Sequence, residues 1–195
     1  MSSVTLSISN GIATITLDNA AKQNALTPEM LSALGRILDE VEAEAGVRAV
    51  LLTSAGERFF CAGADINAWS GLSPQEFARI WVRGGHRLFD RLARLGKPTI
   101  AVLHGNAFGG GLELAAACDI RVMAPGAELA LPETGVGIVP GWSGTQRLMR
   151  LLPEPVVKEM ALFGRRLSAE RALALGFVAE VSSNPLETAT AIAAR

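Results

Sequence analysis

The sequence is poor in the residues that build metal sites, disulfide frameworks and nucleic-acid surfaces. It holds two cysteines and two histidines in 195 residues. Cys61 and Cys118 both lie in apolar stretches, where buried, reduced thiols of a cytosolic protein are expected rather than a disulfide. No pair of Cys or His has the spacing of zinc ligands, so no metal is expected. Lys and Arg number 18 against 19 Asp and Glu, a net charge of −1. No basic run occurs, so nothing points to nucleic acid. No apolar segment approaches the roughly 20 residues needed to span a bilayer. The opening MSSVTLSISNG has neither a basic nor an apolar signal-peptide region, so no membrane association and a cytoplasmic location are expected. Internal repeats and low-complexity segments are also missing.

What is there is a globular composition, 49% apolar and 19% charged, long enough for one domain with a real core. Val4, Leu6 and Ile8 alternate with polar residues, Asn10-Gly11 follows, and residues 12–17 resume the pattern; this predicts a β-hairpin. Thr27-Pro28 predicts a helix N-cap and first helical position, followed by Met30, Leu34, Ile37, Leu38 and Val41 at helical spacing, with Gly46 as the stop. Residues 49–53 are a continuous apolar run, suited to a strand covered on both faces. Ser73-Pro74-Gln75-Glu76 is a capping box opening a helix to Leu92, with a bend expected at Gly84-Gly85. Strands are expected at 120–123 and 127–131, and helices at 146–152, 156–163 and 168–176. A last strand is expected from Phe177-Val178 and Val181, and a final helix from Asn184. Strands alternating with helices predict an α/β fold with a mostly parallel sheet. The final helix lacks a stop signal, so further residues beyond 195 are expected.

The chemistry concentrates in residues 99–119, TIAVLHGNAFGGGLELAAACD, read as strand, glycine turn and helix. Bare backbone N–H groups at such a turn can hold a phosphate or an oxyanion. The spacing Gly105, Gly109, Gly110, Gly111 does not fit a dinucleotide fingerprint, and Leu112-Glu113 stands where a P-loop needs Lys-Ser/Thr. Gly141-Trp142-Ser143-Gly144 is one residue short of a nucleophile elbow, with Thr145 in place of the closing glycine. Neither His86 nor His104 has an evident partner, so Ser143 reads as a loop residue. Residues 61–65 and 108–111 each follow a strand. Two N–H donors from such loops can converge on one oxygen. Glu113 and Glu133 lie in apolar contexts. For Glu113 the alternatives are a favourable position in the helix dipole and catalysis; a carboxylate pair can divide acid and base work.

The sequence resembles the crotonase superfamily, and within it the enoyl-CoA hydratases. The resemblance rests on residues 22–26 (KQNAL), 60–66 (FCAGADI), 107–115 (AFGGGLELA), 118–120 (CDI), Pro132-Glu133 and 140–148 (PGWSGTQRL), in family order. It implies a single crotonase-like core domain over 1–195, a spiral of ββα units flanked by helices, with the family's C-terminal helical segment missing or truncated. It implies an oxyanion hole from the backbone N–H groups of Ala64 and Gly110, and Glu113 and Glu133 as catalytic carboxylates. Gly141 would lie beside the water, and Lys22, Ala25, Leu26, Ala62, Gly63, Asp65 and Ile66 would bind the CoA thioester. No metal or separate cofactor is implied, since coenzyme A belongs to the substrate; the expected assembly is a homotrimer or dimer of trimers. The implied reaction is hydration of a trans-2-enoyl-CoA. The alternatives are a double-bond isomerase, a decarboxylase, a thioester hydrolase or a non-catalytic acyl-CoA-binding protein. Retention of both glutamates favours hydration. Ser143 stands where the family's hydratases usually carry glycine, and Trp142 beside it is bulky; both are expected to reshape the pocket.

Overall fold

The Asn10-Gly11 turn takes positive φ at both residues, 52° and 78°, the conformation of a tight two-residue hairpin. In the computed structural model, which describes residues 2–195, it joins β1 (Ser3–Ser9) to β2 (Ile12–Asp18) in antiparallel register. The helix α1 (Pro28–Ala43) starts where Thr27 accepts a hydrogen bond from the Met30 N–H, and its Met30, Leu34, Ile37, Leu38 and Val41 face inward. The chain continues through β3 (Ala49–Ser54), β4 (Phe59–Cys61), α2 (Ile66–Trp69) and α3 (Pro74–Glu76). A π-helical stretch, Phe77–Val82, then runs into α4 (Arg83–Leu92). Next come β5 (Thr99–Leu103), β6 (Asn106–Phe108), α5 (Gly110–Ala116), β7 (Ile120–Met123) and β8 (Glu128–Ala130). A 3-10 turn, Glu133–Val136, precedes α6 (Gly144–Leu151), α7 (Glu154–Phe163), β9 (Leu167–Ser168), α8 (Ala169–Ala174), β10 (Glu180–Val181) and α9 (Pro185–Ala193).

The strands divide between two sheets in alternation. One has the order β1-β2-β3-β5-β7-β10 and the other β4-β6-β8-β9. Among the described residues, only the β1–β2 and β8–β9 pairings are antiparallel. Each turn of the spiral lays one strand in the larger sheet, the next in the smaller sheet, and then a helical connection. The central strands of the larger sheet, β3, β5 and β7, are buried on both faces, which accounts for their unbroken apolar runs. Val50, Leu52, Ala101, Leu103 and Met123 point into the main core. Leu51, Ile100, Val102 and Val122 point the other way and are covered by Ala189, Ile192 and Ala193 of α9. Full burial of each large aliphatic side chain contributes roughly 1.5–3 kcal/mol.

The structure corrects two local expectations. Phe177 and Val178 form no strand. Their N–H groups donate to the Ala172 carbonyl, at 3.0 and 3.3 Å, so they finish the α8 C-terminus, and only Glu180 and Val181 pair with β7. Gly84 and Gly85 lie inside the regular helix α4, and the departure from α geometry comes earlier, in the π-helical stretch. Gly85 instead makes room: a Cβ there would stand 2.2 Å from the Trp142 indole nitrogen. The final helix α9 lies across β3, β5 and β7. Cys61 and Cys118 are free and buried, and burial pushes both thiols up to about 12. Among the described residues, no helix is long and apolar enough to cross a membrane, and no three His, Cys, Asp or Glu side chains cluster as a metal site would need.

Candidate active site

In the smaller sheet, β4, β6 and β8 run parallel and side by side. Ligands of open parallel sheets gather beyond the carboxyl ends of the strands. Here the chain leaving β4 supplies residues 62–66, the chain leaving β6 supplies Gly109 and Gly110, and the chain leaving β8 supplies Pro132 and Glu133. All but Asp65 line one cavity of about 590 Å³. Apart from Glu113, its remaining wall is chiefly apolar and aromatic, with Trp69, Phe77, Trp81, Val82 and Trp142 beside Val136, Ile138 and Val139.

Two backbone N–H groups border this cavity without an acceptor among the described residues. Leu26 donates its N–H to the Gly63 carbonyl at 2.8 Å and accepts the Asp65 N–H at 2.9 Å. Alternation along an extended segment then turns the Ala64 N–H to the opposite edge. Gly110 opens α5, where the first N–H groups have no partner within the helix. The two nitrogens are neighbours: a Cβ on Gly110 would stand 3.4 Å from the Ala64 nitrogen, and one on Gly63 would stand 3.2 Å from the Gly110 nitrogen. Gly109 between β6 and α5 has φ +50°, which a glycine adopts without a Cβ penalty.

Glu113 and Glu133 are both buried, at 2% and 7% exposure, and both line the cavity. Glu113 projects from α5, and its Oε1 accepts the Trp142 N–H at 2.8 Å and the Gly144 N–H at 2.6 Å. Burial pushes Glu113 up to about 7; those two donors oppose the rise, the nearby Glu133 charge adds to it, and Arg147 opposes it. Burial raises Glu133 as well. Its Oε2 is buried with no hydrogen-bond partner among the described residues. A buried carboxylate oxygen left unpaired is costly, and here it belongs to a residue of the cavity wall. Glu113, raised to about 7, can hold a proton near neutrality and exchange it with a bound molecule.

The structure brings Glu113, Glu133, Ala62, Gly63, Ala64, Gly110, Gly141 and Ile66 to this cavity. It places Lys22, Ala25, Leu26 and Asp65 outside its wall. The Leu26 side chain is fully buried in the core, because its backbone pairs with the 63–65 segment and turns the side chain inward. Asp65 is buried, accepts the Asn67 N–H at 3.1 Å to cap α2, and pairs with Lys22 at 3.1 Å. These residues hold the loop that carries the Ala64 amide. Lys22 itself stays largely exposed on the surface beside that loop. Sequence reasoning missed a second set. The Ser143 hydroxyl hydrogen-bonds His86 Nδ1, and His86 Nε2 lies 3.6 Å from Asp90 Oδ2. His86 thus has partners that sequence spacing does not reveal, since Ser143 is 57 residues away. The arrangement does not make a nucleophile elbow: the N–H groups on either side of Ser143 are taken by Glu113, and Ser143 is off the cavity wall.

With this geometry in place, comparison with known proteins gives one family. A family model described as enoyl-CoA hydratase/isomerase matches residues 7–194. A probable enoyl-CoA hydratase of Bacillus subtilis is 40% identical, over 100% of this chain and 76% of the relative. A short-chain-enoyl-CoA hydratase of Clostridium acetobutylicum is 37% identical, over 99% and 74% respectively. The crystal structure of an enoyl-CoA hydratase from Bacillus anthracis superposes with a TM-score of 0.92 at 37% identity, over 97% of this chain and 74% of that one. The chain belongs to the enoyl-CoA hydratase/isomerase family, within the crotonase superfamily.

Proposed function

We propose that this chain hydrates the double bond of a trans-2-enoyl-CoA thioester. The observation that carries the reading is a buried pair of carboxylates, Glu113 and Glu133, on the wall of a cavity that also presents two unpaired main-chain amides. Water adds at the β-carbon of the unsaturated thioester, and negative charge builds on the thioester oxygen as an enolate. The Ala64 and Gly110 N–H groups stabilise that charge; losing one such donor costs roughly 3–4 kcal/mol of transition-state binding. One carboxylate accepts a proton from the water as its oxygen bonds to the β-carbon. The other carboxyl group gives its proton to the α-carbon. The pair carries one proton before and after the step, which suits two buried carboxyl groups that disfavour each other's charge. Gly141 lies on the wall beside Trp142, leaving room for the water. The addition is redox-neutral, so the proposal includes no redox cofactor.

The aromatic wall formed by Trp69, Phe77, Trp81 and Trp142 fits the acyl chain. The CoA moiety extends past the 62–66 loop toward Lys22, whose charge suits its phosphates. We further propose a homotrimer or a dimer of trimers, supported by Leu162 and Phe163 at the end of α7, which are 59% and 82% exposed. Two buried free thiols suit a reducing, cytoplasmic setting. The test is turnover of crotonyl-CoA and longer enoyl-CoA thioesters, followed by loss of the enoyl-thioester absorbance and by product mass. A gain of one water supports hydration. A product of unchanged mass with a shifted double bond, loss of carbon dioxide from a carboxyacyl-CoA, or release of free CoA would replace it with one of the sister reactions.

A further inference from the structure

Ser143 is a residue out of place in three respects. It is not glycine, yet its backbone is left-handed, with φ 76° and ψ 18°; a Cβ disfavours that conformation. It occupies the N-cap of α6, where a serine hydroxyl ordinarily accepts a hydrogen bond from the first turn, yet it makes no such cap. It is only 5% exposed, and its hydroxyl reaches across to His86 of α4. The turn it forms has a definite product. Left-handed backbone at residue 143 points the N–H groups before and after it, those of Trp142 and Gly144, at the same atom, Glu113 Oε1.

The far side of the turn is held by a closed ring of side chains. His86 meets Asp90, Asp90 pairs with Arg147, and Arg147 Nη1 donates back to the Trp142 carbonyl at 3.1 Å. The Arg147 N–H also donates to the Ser143 carbonyl at 2.9 Å. One side of the Trp142–Ser143–Gly144 turn therefore grips Glu113, and the other is tied to α4. The charged groups acting on Glu113 are Glu133 and Arg147. Those paired around His86 are Asp90, with Arg94 and Arg147 beyond it.

We propose that Ser143 and His86 are positioning residues for Glu113: their hydrogen bond holds the left-handed turn whose two amides fix the Glu113 carboxylate. Neither residue touches the cavity. The inference rests on the proposed function only for its effect on turnover; the geometry of Glu113 is testable without any reaction.

The experiment uses the full chain with four variants: Ser143→Ala, Ser143→Gly, His86→Ala, and His86→Ala in the Ser143→Gly background. The first readout is the ionisation of Glu113, followed by 13C carboxyl NMR and assigned with Glu113→Gln. The second is kcat and KM on crotonyl-CoA. Ser143→Ala keeps a Cβ on the turn and removes its anchor. His86→Ala removes the anchor from the other end, on a half-exposed side chain that the core does not need. Both are expected to raise the Glu113 midpoint by about 1 pH unit, because donors to a carboxylate hold its pKa down. Both are also expected to lower kcat about tenfold or more with little change in KM, as misplaced catalytic groups do. Glycine adopts the left-handed turn unaided, so Ser143→Gly is expected to keep the Glu113 midpoint near that of the parent. In that background His86→Ala should move it no further. An unchanged midpoint in Ser143→Ala and His86→Ala would overturn the proposal, as would an equal effect of His86→Ala in both backgrounds. Failure of crotonyl-CoA turnover in the parent would count against the hydratase reading alone, since the NMR titration still decides the positioning.

Discussion

At the scale of single residues, the two buried glutamates supply acid and base in the proposed mechanism, and they also leave a mark on stability. Glu113 is held at about 7 against its ordinary 4.5. Its folded-state value lies above that of the unfolded chain, so the folded state binds more protons between those two values. Stability from this group is complete below pH 4.5 and is lost as pH rises through 7, an effect of about 3 kcal/mol. Urea unfolding from pH 4 to 8 should show this slope in the parent and a smaller one in Glu113→Gln, where Glu133, also raised by burial, still contributes. For Glu133, exchange to Gln keeps size and hydrogen bonding but removes proton transfer. Hydration should fall by about 10²–10⁴-fold while calorimetric binding of the saturated acyl-CoA is retained. Both glutamates were visible in the sequence, because a carboxylate in an apolar context demands a reason. The Ser143–His86–Asp90 set was not: its members are polar residues with ordinary surface roles, joined only where α4 crosses the loop before α6. Leu26 and Asp65 show the converse. They belong to recognisable motifs, yet the structure spends them on holding a loop, since a backbone amide leaves no side-chain signature and its supports stand in for it.

At the scale of elements, the helix running through Gly84 and Gly85 shows what local reasoning can reach. Propensity predicts the helix, its capping box and a weak point at the glycine pair. It cannot see that Trp142, from a loop far along the chain, packs onto one of the two. The neighbours should therefore respond with opposite sign. Gly84 has nothing within 4 Å of a Cβ, so Gly84→Ala should stabilise by up to about 1 kcal/mol. At Gly85 the same propensity gain is outweighed, because the Cβ would meet three Trp142 ring atoms at 2.2–2.6 Å. Overpacking of this kind costs about 1–3 kcal/mol, and Gly85→Ala should lower the thermal midpoint. Trp142 also packs against Trp81 and Phe89, so its displacement should alter the acyl-chain preference too, read from a panel of enoyl-CoA lengths. The π-helical turns at Phe77–Val82 carry no signal in the sequence. They present Phe77, Trp81 and Val82 to the cavity, a demand of the site rather than of the segment.

At the scale of the whole molecule, alternating strands and helices were enough to predict an α/β fold with a mostly parallel sheet. The division into two sheets was not, since which sheet a strand joins depends on its partners and not on its own pattern. Along residues 156–163 apolar surface is exposed only at the end: Val156, Val157 and Met160 are buried, and Leu162 and Phe163 are exposed. If these last two seat a neighbouring copy, Phe163→Ser should shift sedimentation toward the monomer at micromolar concentration. A parent chain that sediments as a monomer throughout would remove the proposed trimer. The arrangement of the smaller sheet has a longer reach. Its strands deliver the wall of the cavity one strand spacing at a time, about 4.8 Å apiece, and the polar groups they deliver are of two kinds. Glu133 is a side chain, erased by one change of codon. The amides beyond β4 and β6 are main chain, and short of proline no exchange of residue deletes them. A lineage built on this scaffold inherits its two main-chain amides with the backbone itself, while the proposed acid and base beside them stay open to replacement.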